Sequence, residues 1–518
     1  MKKDCDNEQT ALLPSTKGAL RRVIGFATTA EVDETLKRIN HALAGKLNRS
    51  AERSVQTPKT NPEVMNQSQS SDPPAGESRR SFIRKTAGVA ATVATANLLK
   101  TPVYGQSQAP SSGRVIGAND RIVVGYIGVG SQGTAHLKFQ KAHAQENNIA
   151  QAAVCDVYQK RLQAAKGFLG LTDAAAYGDH RKLLDRQDID AVLIATVDDW
   201  HAQVSIDALD AGKHVYCEKP MTRYLGEAFQ VYDTVKRTGK VYIVGSQGCA
   251  DPKYHKAAEW IKAGKLGPLV WGQGSYCRNN LKNSEWTYPV DPDANESNLD
   301  WNRWLGNAPK IPFNPDHYFS WHKYYAYNSG IIGNLLPHRF YPLMVSTGNP
   351  EFPRRVACTG TRQVSTDRDI TDTTHLLAEF PSGLTLLVAG SSVNEQGLPD
   401  MLRGRKGTIY FASSQNKVEF KPERIFADEL DGEEFHDAQP VDDIPRLEKN
   451  WFDCIRTGGR PFTHIDLAIR GQTVLCLAEM SERLSLTLLF DEKTRKVSTG
   501  DGRVVPPLTY DTMVPART

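Results

Sequence analysis

No two cysteines of this chain stand in a CxxC pair, which excludes a zinc ribbon and a dithiol redox motif; no metal site is expected. The eight cysteines are scattered at positions 5, 155, 217, 249, 277, 358, 454 and 476. They read as free thiols in cores, and Cys155 and Cys217 each end an apolar run where a small, soft side chain packs well. Charge of one sign is lacking too. The 63 Lys and Arg residues are interspersed with 59 Asp and Glu, for a net charge of +4, so nothing marks a nucleic-acid partner. The stretch from Thr86 to Leu99 is only weakly apolar, rich in Ala and Thr, and falls short of the roughly 20 residues a membrane-spanning helix needs. A permanent membrane anchor is therefore not expected.

What is present begins with length. A chain of 518 residues is too long for one ordinary core, so two folded domains plus extensions are expected. Ser78-Arg79-Arg80-Ser81-Phe82-Ile83-Arg84-Lys85 precedes the weakly apolar stretch, and Gly105 offers a small-residue cleavage position. This reads as a twin-arginine export signal, which puts the folded protein in the periplasm or outside the cell. Residues 1–64 form an extension ahead of it, with an amphipathic helix from Thr28 to Leu43 that carries no chemistry; Met65 is an alternative start. Residues 65–113 are signal and linker.

From Arg121 the pattern changes to a doubly wound α/β reading. Ile122-Val123-Val124-Gly125-Tyr126-Ile127 is a buried-strand run, and Gly128-Val129-Gly130-Ser131-Gln132-Gly133 opens onto a helix. Gly128 permits the tight turn, Gly130 lets a pyrophosphate approach the backbone, and Gly133 allows close helix packing, with phosphate held at the helix N-terminus beside Ser131 and Gln132. A second strand ends in Asp156, where a carboxylate accepts hydrogen bonds from adenosine ribose hydroxyls. That favours NAD; Arg161 nearby can accept a 2′-phosphate, so NADP stays open. A third strand ends at Thr196, with His201 in the following helix, and both fall at the strand ends where the nicotinamide side of a ligand sits. For His201 a packing role is equally open.

The next strand ends in Glu218-Lys219-Pro220. With the glycine loop upstream, this resembles the Gfo/Idh/MocA oxidoreductases over about residues 114–490. The resemblance implies a Rossmann domain at 114–248, then an α+β domain at 249–490 with an open, mainly antiparallel sheet that also supports homo-oligomers, and a tail at 491–518. It further implies that Lys219 is the catalytic lysine bonding the reacting hydroxyl, that Glu218 supports lysine and cofactor, that Gln247 faces the cleft, and that Lys219-Pro220 can be cis. An ammonium beside a bound alcohol stabilises the alkoxide that develops as hydride leaves carbon.

Ser329-Gly330-Ile331-Ile332-Gly333-Asn334-Leu335-Leu336-Pro337-His338 is similar to the family segment that sets an acid four residues before a catalytic histidine on one helix face. His338 takes the histidine position, but Asn334 takes the acid's, and Tyr341 departs as well; both changes shift weight to Lys219. The run from Tyr276 to Tyr327 is dense in aromatic and polar residues, and Trp304, Tyr318, Trp321 and Tyr325 suit the CH patches and hydroxyls of a sugar. The expected activity is NAD(P)-dependent oxidation or reduction of a secondary hydroxyl on a sugar, sugar derivative or polyol, with cofactor tightly held. A glycoside hydrolase of the same fold, working by transient oxidation and elimination, is the alternative, and a noncatalytic NAD-binding protein is the third.

Overall fold

A computed structural model describes residues 120–412, 416–437 and 443–512. The twin-arginine segment, the Thr28–Leu43 helix and the rest of residues 1–113 lie outside the described residues.

The first layer alternates strand and helix: β1 Ile122–Ile127, α1 Ser131–Ala142, β2 Ile149–Cys155, α2 Gln159–Leu169, β3 Ala176–Tyr177, α3 His180–Leu184, β4 Ala191–Ile194, α4 Asp198–Asp210, β5 His214–Cys217, α5 Leu225–Thr238 and β6 Tyr242–Val244. The strands lie in the order β3-β2-β1-β4-β5-β6, and every neighbouring pair is parallel. Strands β4 and β6 are buried at every position, which is why they read as unbroken apolar runs: a parallel sheet is covered on both faces. The order reverses between β1 and β4, so their carboxyl ends open a crevice.

The second layer follows as α6 Pro252–Lys262, β7 Leu269–Cys277, the short helices α7 Trp301–Leu305, α8 Pro315–Phe319 and α9 Ile331–Asn334, then α10 Pro337–Ser346 and strands β8 Arg355–Thr361, β9 Thr373–Glu379, β10 Thr385–Ser391, β11 Met401–Gly404, β12 Gly407–Phe411, β13 Lys417–Pro422 and β14 Glu433–His436. Helices α11 Asp443–Thr457 and α12 Ile465–Leu484 precede β15 Leu488–Asp491 and β16 Lys496–Ser498. Its ten strands run β14-β13-β12-β11-β7-β10-β9-β8-β15-β16, antiparallel except for the parallel pair β7 and β10. The period-2 alternation is visible in β9, where Thr374, Leu376 and Ala378 point inward while His375 and Leu377 face solvent.

Helix α12 is buried on nearly every side, because it is wedged among β8, α5 and α10. It pins the turn that follows β5. Gln472 accepts from the Met221 N–H at 3.1 Å and donates to Thr222 O at 2.8 Å, and Glu479 takes both Nη atoms of buried Arg223 at 2.6 and 2.7 Å. Two further stretches bind the layers. Leu447, Trp451 and Phe452 of α11 complete the core around Val124, Tyr126 and Leu193 of the first sheet. Beyond residue 490 the chain adds β16 to the second sheet and buries Val505 and Leu508 in its core.

Candidate active site

The crevice at the β1/β4 reversal widens into a cleft of about 720 Å³, with the glycine loop at one end and the aromatic segment at the other. Gly128 sits at φ +83°, and a Cβ there would lie 2.6 Å from Ala195 O. A Cβ at Gly133 would meet Gly128 O at 2.0 Å. Only glycine therefore lets this turn close and α1 start tight against it. Helix α1 has no acidic residue in its first turn, which leaves its N-terminus open to a pyrophosphate. Asp156 is buried at the end of β2, its Oδ2 accepting from Val129 N at 2.9 Å and its Oδ1 from Tyr158 N at 2.8 Å. Burial lifts its carboxyl above the ordinary range against the pull of Arg161 and the backbone N–H groups. Cradle, helix terminus and carboxylate together fit a dinucleotide.

Lys219 reaches the cleft from the end of β5, on a cis Lys219-Pro220 peptide. Among the described residues no carboxylate lies within ion-pair distance of its ammonium. Glu218 Oε1 accepts from Gln132 Nε2 at 3.1 Å and from His136 Nε2 at 2.8 Å, and Glu218 Oε2 accepts from Lys219 N at 3.1 Å. His136 Nδ1 in turn meets Glu448 Oε1 at 2.6 Å. Burial opposes both charges, but the mutual hydrogen bonds overcome it: His136 is pushed up to about 9 and Glu218 down to about 2.

His201 braces this turn, its Nδ1 2.7 Å from Pro220 O and its Nε2 3.2 Å from Thr196 O. Both ring nitrogens are occupied by backbone, and Thr196, His201 and Gln247 line the cleft beside Lys219. The structure does not put Asn334 and His338 on one helix, as their spacing predicts. Asn334 ends α9 and His338 follows Pro337 at the start of α10, because proline at a first helical position starts a new helix rather than continuing an old one. The Asn334 amide is spent on Asn328 Oδ1 and Gly330 O at 3.1 and 2.9 Å. Both residues still line the cleft, and burial together with Lys219 takes His338 down to about 3, leaving it a neutral imidazole near neutrality.

Trp304, Tyr318 and Trp321 form part of the far wall; Tyr325 does not reach it, because its hydroxyl donates to Glu482 on α12 at 2.9 Å. Beside Trp321, His322 stacks at 3.7 Å between ring centroids and has Trp286 at 5.8 Å on a nearly parallel plane. Its Nδ1 is buried without a hydrogen-bond partner, and burial plus the charges of Lys219 and Arg278 hold it well below the ordinary imidazole value. Sequence reading missed His136, Glu448, Arg278 and Tyr288. His136 and Glu448 lie 312 positions apart, and no local pattern joins them.

The wall segment also packs over the chain that follows β2. Gln159 N donates to Asn298 O at 2.9 Å and Asp300 N to Val157 O at 3.0 Å. Tyr158 donates to Asp291 at 2.9 Å, and Arg161 Nη1 donates to the Tyr318 hydroxyl at 3.0 Å.

Comparison with known proteins agrees with this geometry. Residues 122–246 match the Gfo/Idh/MocA oxidoreductase family, NAD-binding Rossmann fold, so the first layer is an NAD-binding Rossmann domain. An α-N-acetylgalactosaminidase of Shewanella oneidensis is 31% identical over 211 residues, 38% of this chain and 45% of the relative. A glycosyl hydrolase family 109 protein of Shewanella baltica is 30% identical over 212 residues, with the same coverage. The chain thus spans about half the length of the curated relatives it matches. The fold over 70% of this chain is shared with 96% of a levoglucosan dehydrogenase in complex with NADH and levoglucosan, at a TM-score of 0.54 and 19% identity. An aldose-aldose oxidoreductase from Caulobacter crescentus has the same TM-score at 18% identity, covering 71% and 100%.

Proposed function

With residues 122–246 carrying the NAD-binding Rossmann fold of the Gfo/Idh/MocA oxidoreductases, we propose that this protein oxidises and reduces a secondary hydroxyl of a sugar, sugar derivative or polyol while keeping its NAD bound. The observation that carries the reading is one cleft shared by the glycine loop, Lys219 and the aromatic wall. When bound, the nicotinamide supplies a hydride acceptor at that cleft. Lys219 donates a hydrogen bond to the reacting oxygen and holds the charge that develops on it. Asp156 and the α1 N-terminus hold the adenosine and phosphate groups, and the wall excludes water while stacking on the sugar ring.

Protein purified from an exported fraction and denatured should release nucleotide in one-to-one amount, and the native protein should show NAD reduction when offered a panel of aldoses and polyols. A chain that carries no nucleotide and binds neither NAD nor NADP sinks the reading. Export through the twin-arginine segment 78–85 belongs to the proposal as well; replacing Arg79 and Arg80 with Lys should trap the protein in the cytoplasm. So does homo-oligomerisation, supported by the exposed Trp271, Leu377 and Tyr410 of the second sheet and tested by sedimentation.

His322 favours a second reading. A neutral, partnerless imidazole in the cleft is suited to remove a proton next to a transient carbonyl, and the relatives include glycosyl hydrolase family 109 proteins. Release of aglycone from aryl glycosides without net NAD reduction would select that hydrolase over the oxidoreductase.

A further inference from the structure

We propose that His136 is a positioning residue for the chemistry at Lys219: held by Glu448 on one side, it sets the charge and orientation of Glu218 from a place that the cleft never touches. The proposal rests on the reading of Lys219 given above.

The geometry allows His136 little freedom. Its ring is fully buried, with Nε2 2.8 Å from Glu218 Oε1 and Nδ1 2.6 Å from Glu448 Oε1. Two ionised carboxylates can both accept from one imidazole only when both nitrogens carry protons, so contacts to two glutamates favour the cationic ring. Glu448 is itself fixed by Gln140 Nε2 at 3.1 Å, and Gln140 takes the Tyr126 hydroxyl at 2.5 Å. On the other side Glu218 fits only because residue 245 is glycine: a Cβ there would lie 2.9 Å from its carboxyl carbon. The chain runs from α11 through α1 to the strand end that bears Lys219. Neither His136 nor Glu448 lines the cleft, whereas Glu218 and Lys219 do.

The consequence is electrostatic. Burial alone would drive Glu218 toward its neutral form, turning an acceptor into a donor beside Gln132 and the Lys219 N–H. The cationic ring prevents this. The titratable groups around the triad are Tyr216 of β5, whose ring is 5.2 Å from His136, Tyr126 of β1 at the Glu448 end, and, on the Glu218 side, Lys219, Asp198, His201 and His338, the last three each feeling the Glu218 charge. Burial pushes both tyrosines up, so neither is charged near neutrality, and the triad carries one net negative charge behind the Lys219 turn.

The test uses the NAD-loaded protein and the variants H136Q and E448Q, the second lying outside the cleft. In ¹⁵N-histidine spectra the His136 signal, assigned by its loss in H136Q, should remain that of an imidazolium up to about pH 9 in the wild type and titrate lower in E448Q. With the aldose or polyol that the wild type accepts, both variants should lose kcat by about 10- to 100-fold, while KM and the NAD dissociation constant move by no more than about twofold. The lost rate should recover as pH is raised, because Glu218 then sheds its proton. A lower melting temperature with kcat unchanged, or a wild-type His136 that titrates in the ordinary imidazole range, would overturn the proposal. Failure to bind NAD counts against the proposed function instead, and the histidine spectra of the nucleotide-free protein then decide the proposal.

Discussion

Arg161, on the second helix of the nucleotide-binding layer, donates from Nη1 to the hydroxyl of Tyr318 on the aromatic wall at 3.0 Å, and its guanidinium lies 4.8 Å above that same ring. The helix that follows the glycine loop's neighbouring strand is thereby tied to the aromatic wall of the second layer. Gly130 of the phosphate loop faces the same guanidinium: a Cβ there would be 3.2 Å from Nη1. An isolated backbone bridge between Tyr158 and Leu299 joins the same two stretches of chain.

Tyr318→Phe and Arg161→Ala should speed NAD release. A hydrogen bond to a charged group contributes about 1.5–3 kcal/mol, which corresponds to roughly 10- to 100-fold in dissociation rate. Stopped-flow displacement of a fluorescent NAD analogue measures it directly, and an unchanged rate would show that the wall segment does not retain the nucleotide.

Stability should fall on both sides of neutrality for different reasons. His136 titrates at about 9 when folded against an ordinary value of 6.5; its contribution is whole below the ordinary value and lost as pH rises through about 9. Glu218 is held at about 2 against 4.5, so its contribution is present above the ordinary value and lost as pH falls through about 2. His338 acts in the opposite sense to His136. Held at about 3, it makes the unfolded chain bind more protons below 6.5, so stability declines as pH falls from there toward 3. Urea titrations across pH should show an alkaline loss near 9 that H136Q removes and an acid loss that His338→Asn makes shallower.

Lys219→Met should leave NAD binding intact and reduce turnover by about 10²- to 10⁴-fold, the range for a positioned proton-transfer group. Isothermal titration with NAD and the sugar panel separate the two effects. Turnover at wild-type level would remove the lysine from the mechanism.

His338 and His322 should separate the two readings. If proton removal next to a carbonyl belongs to His322, His322→Asn abolishes aryl glycoside cleavage and solvent deuterium incorporation by about 10²- to 10⁴-fold, while NAD reduction persists. Loss of NAD reduction in His338→Asn alone, with no glycoside cleavage in any variant, would instead favour the oxidoreductase.

The Rossmann sheet and its glycine loop were legible in the residues themselves because their causes are local. A buried parallel strand must be apolar throughout, a turn that approaches Ala195 O within 2.6 Å of a notional Cβ must be glycine, and the strand ending in Glu218-Lys219-Pro220 carries its own signature. Even the aromatic wall announced itself by composition, although composition did not say that Tyr325 would turn away to Glu482.

Tertiary structure alone decided what those residues can do. Asn334 and His338 had the spacing of one helix face, but Pro337 started a second helix between them. His136 looked like any residue of a first helix until the fold laid Glu448 against it from 312 positions away. His322 is held well below the ordinary imidazole value by burial and by Lys219 and Arg278, which only the fold brings to it. Hydrophobic period and backbone sterics act over a few residues and can be read from their order. Charge state and cleft membership depend on which distant groups share a desolvated space, and only the packed chain sets that.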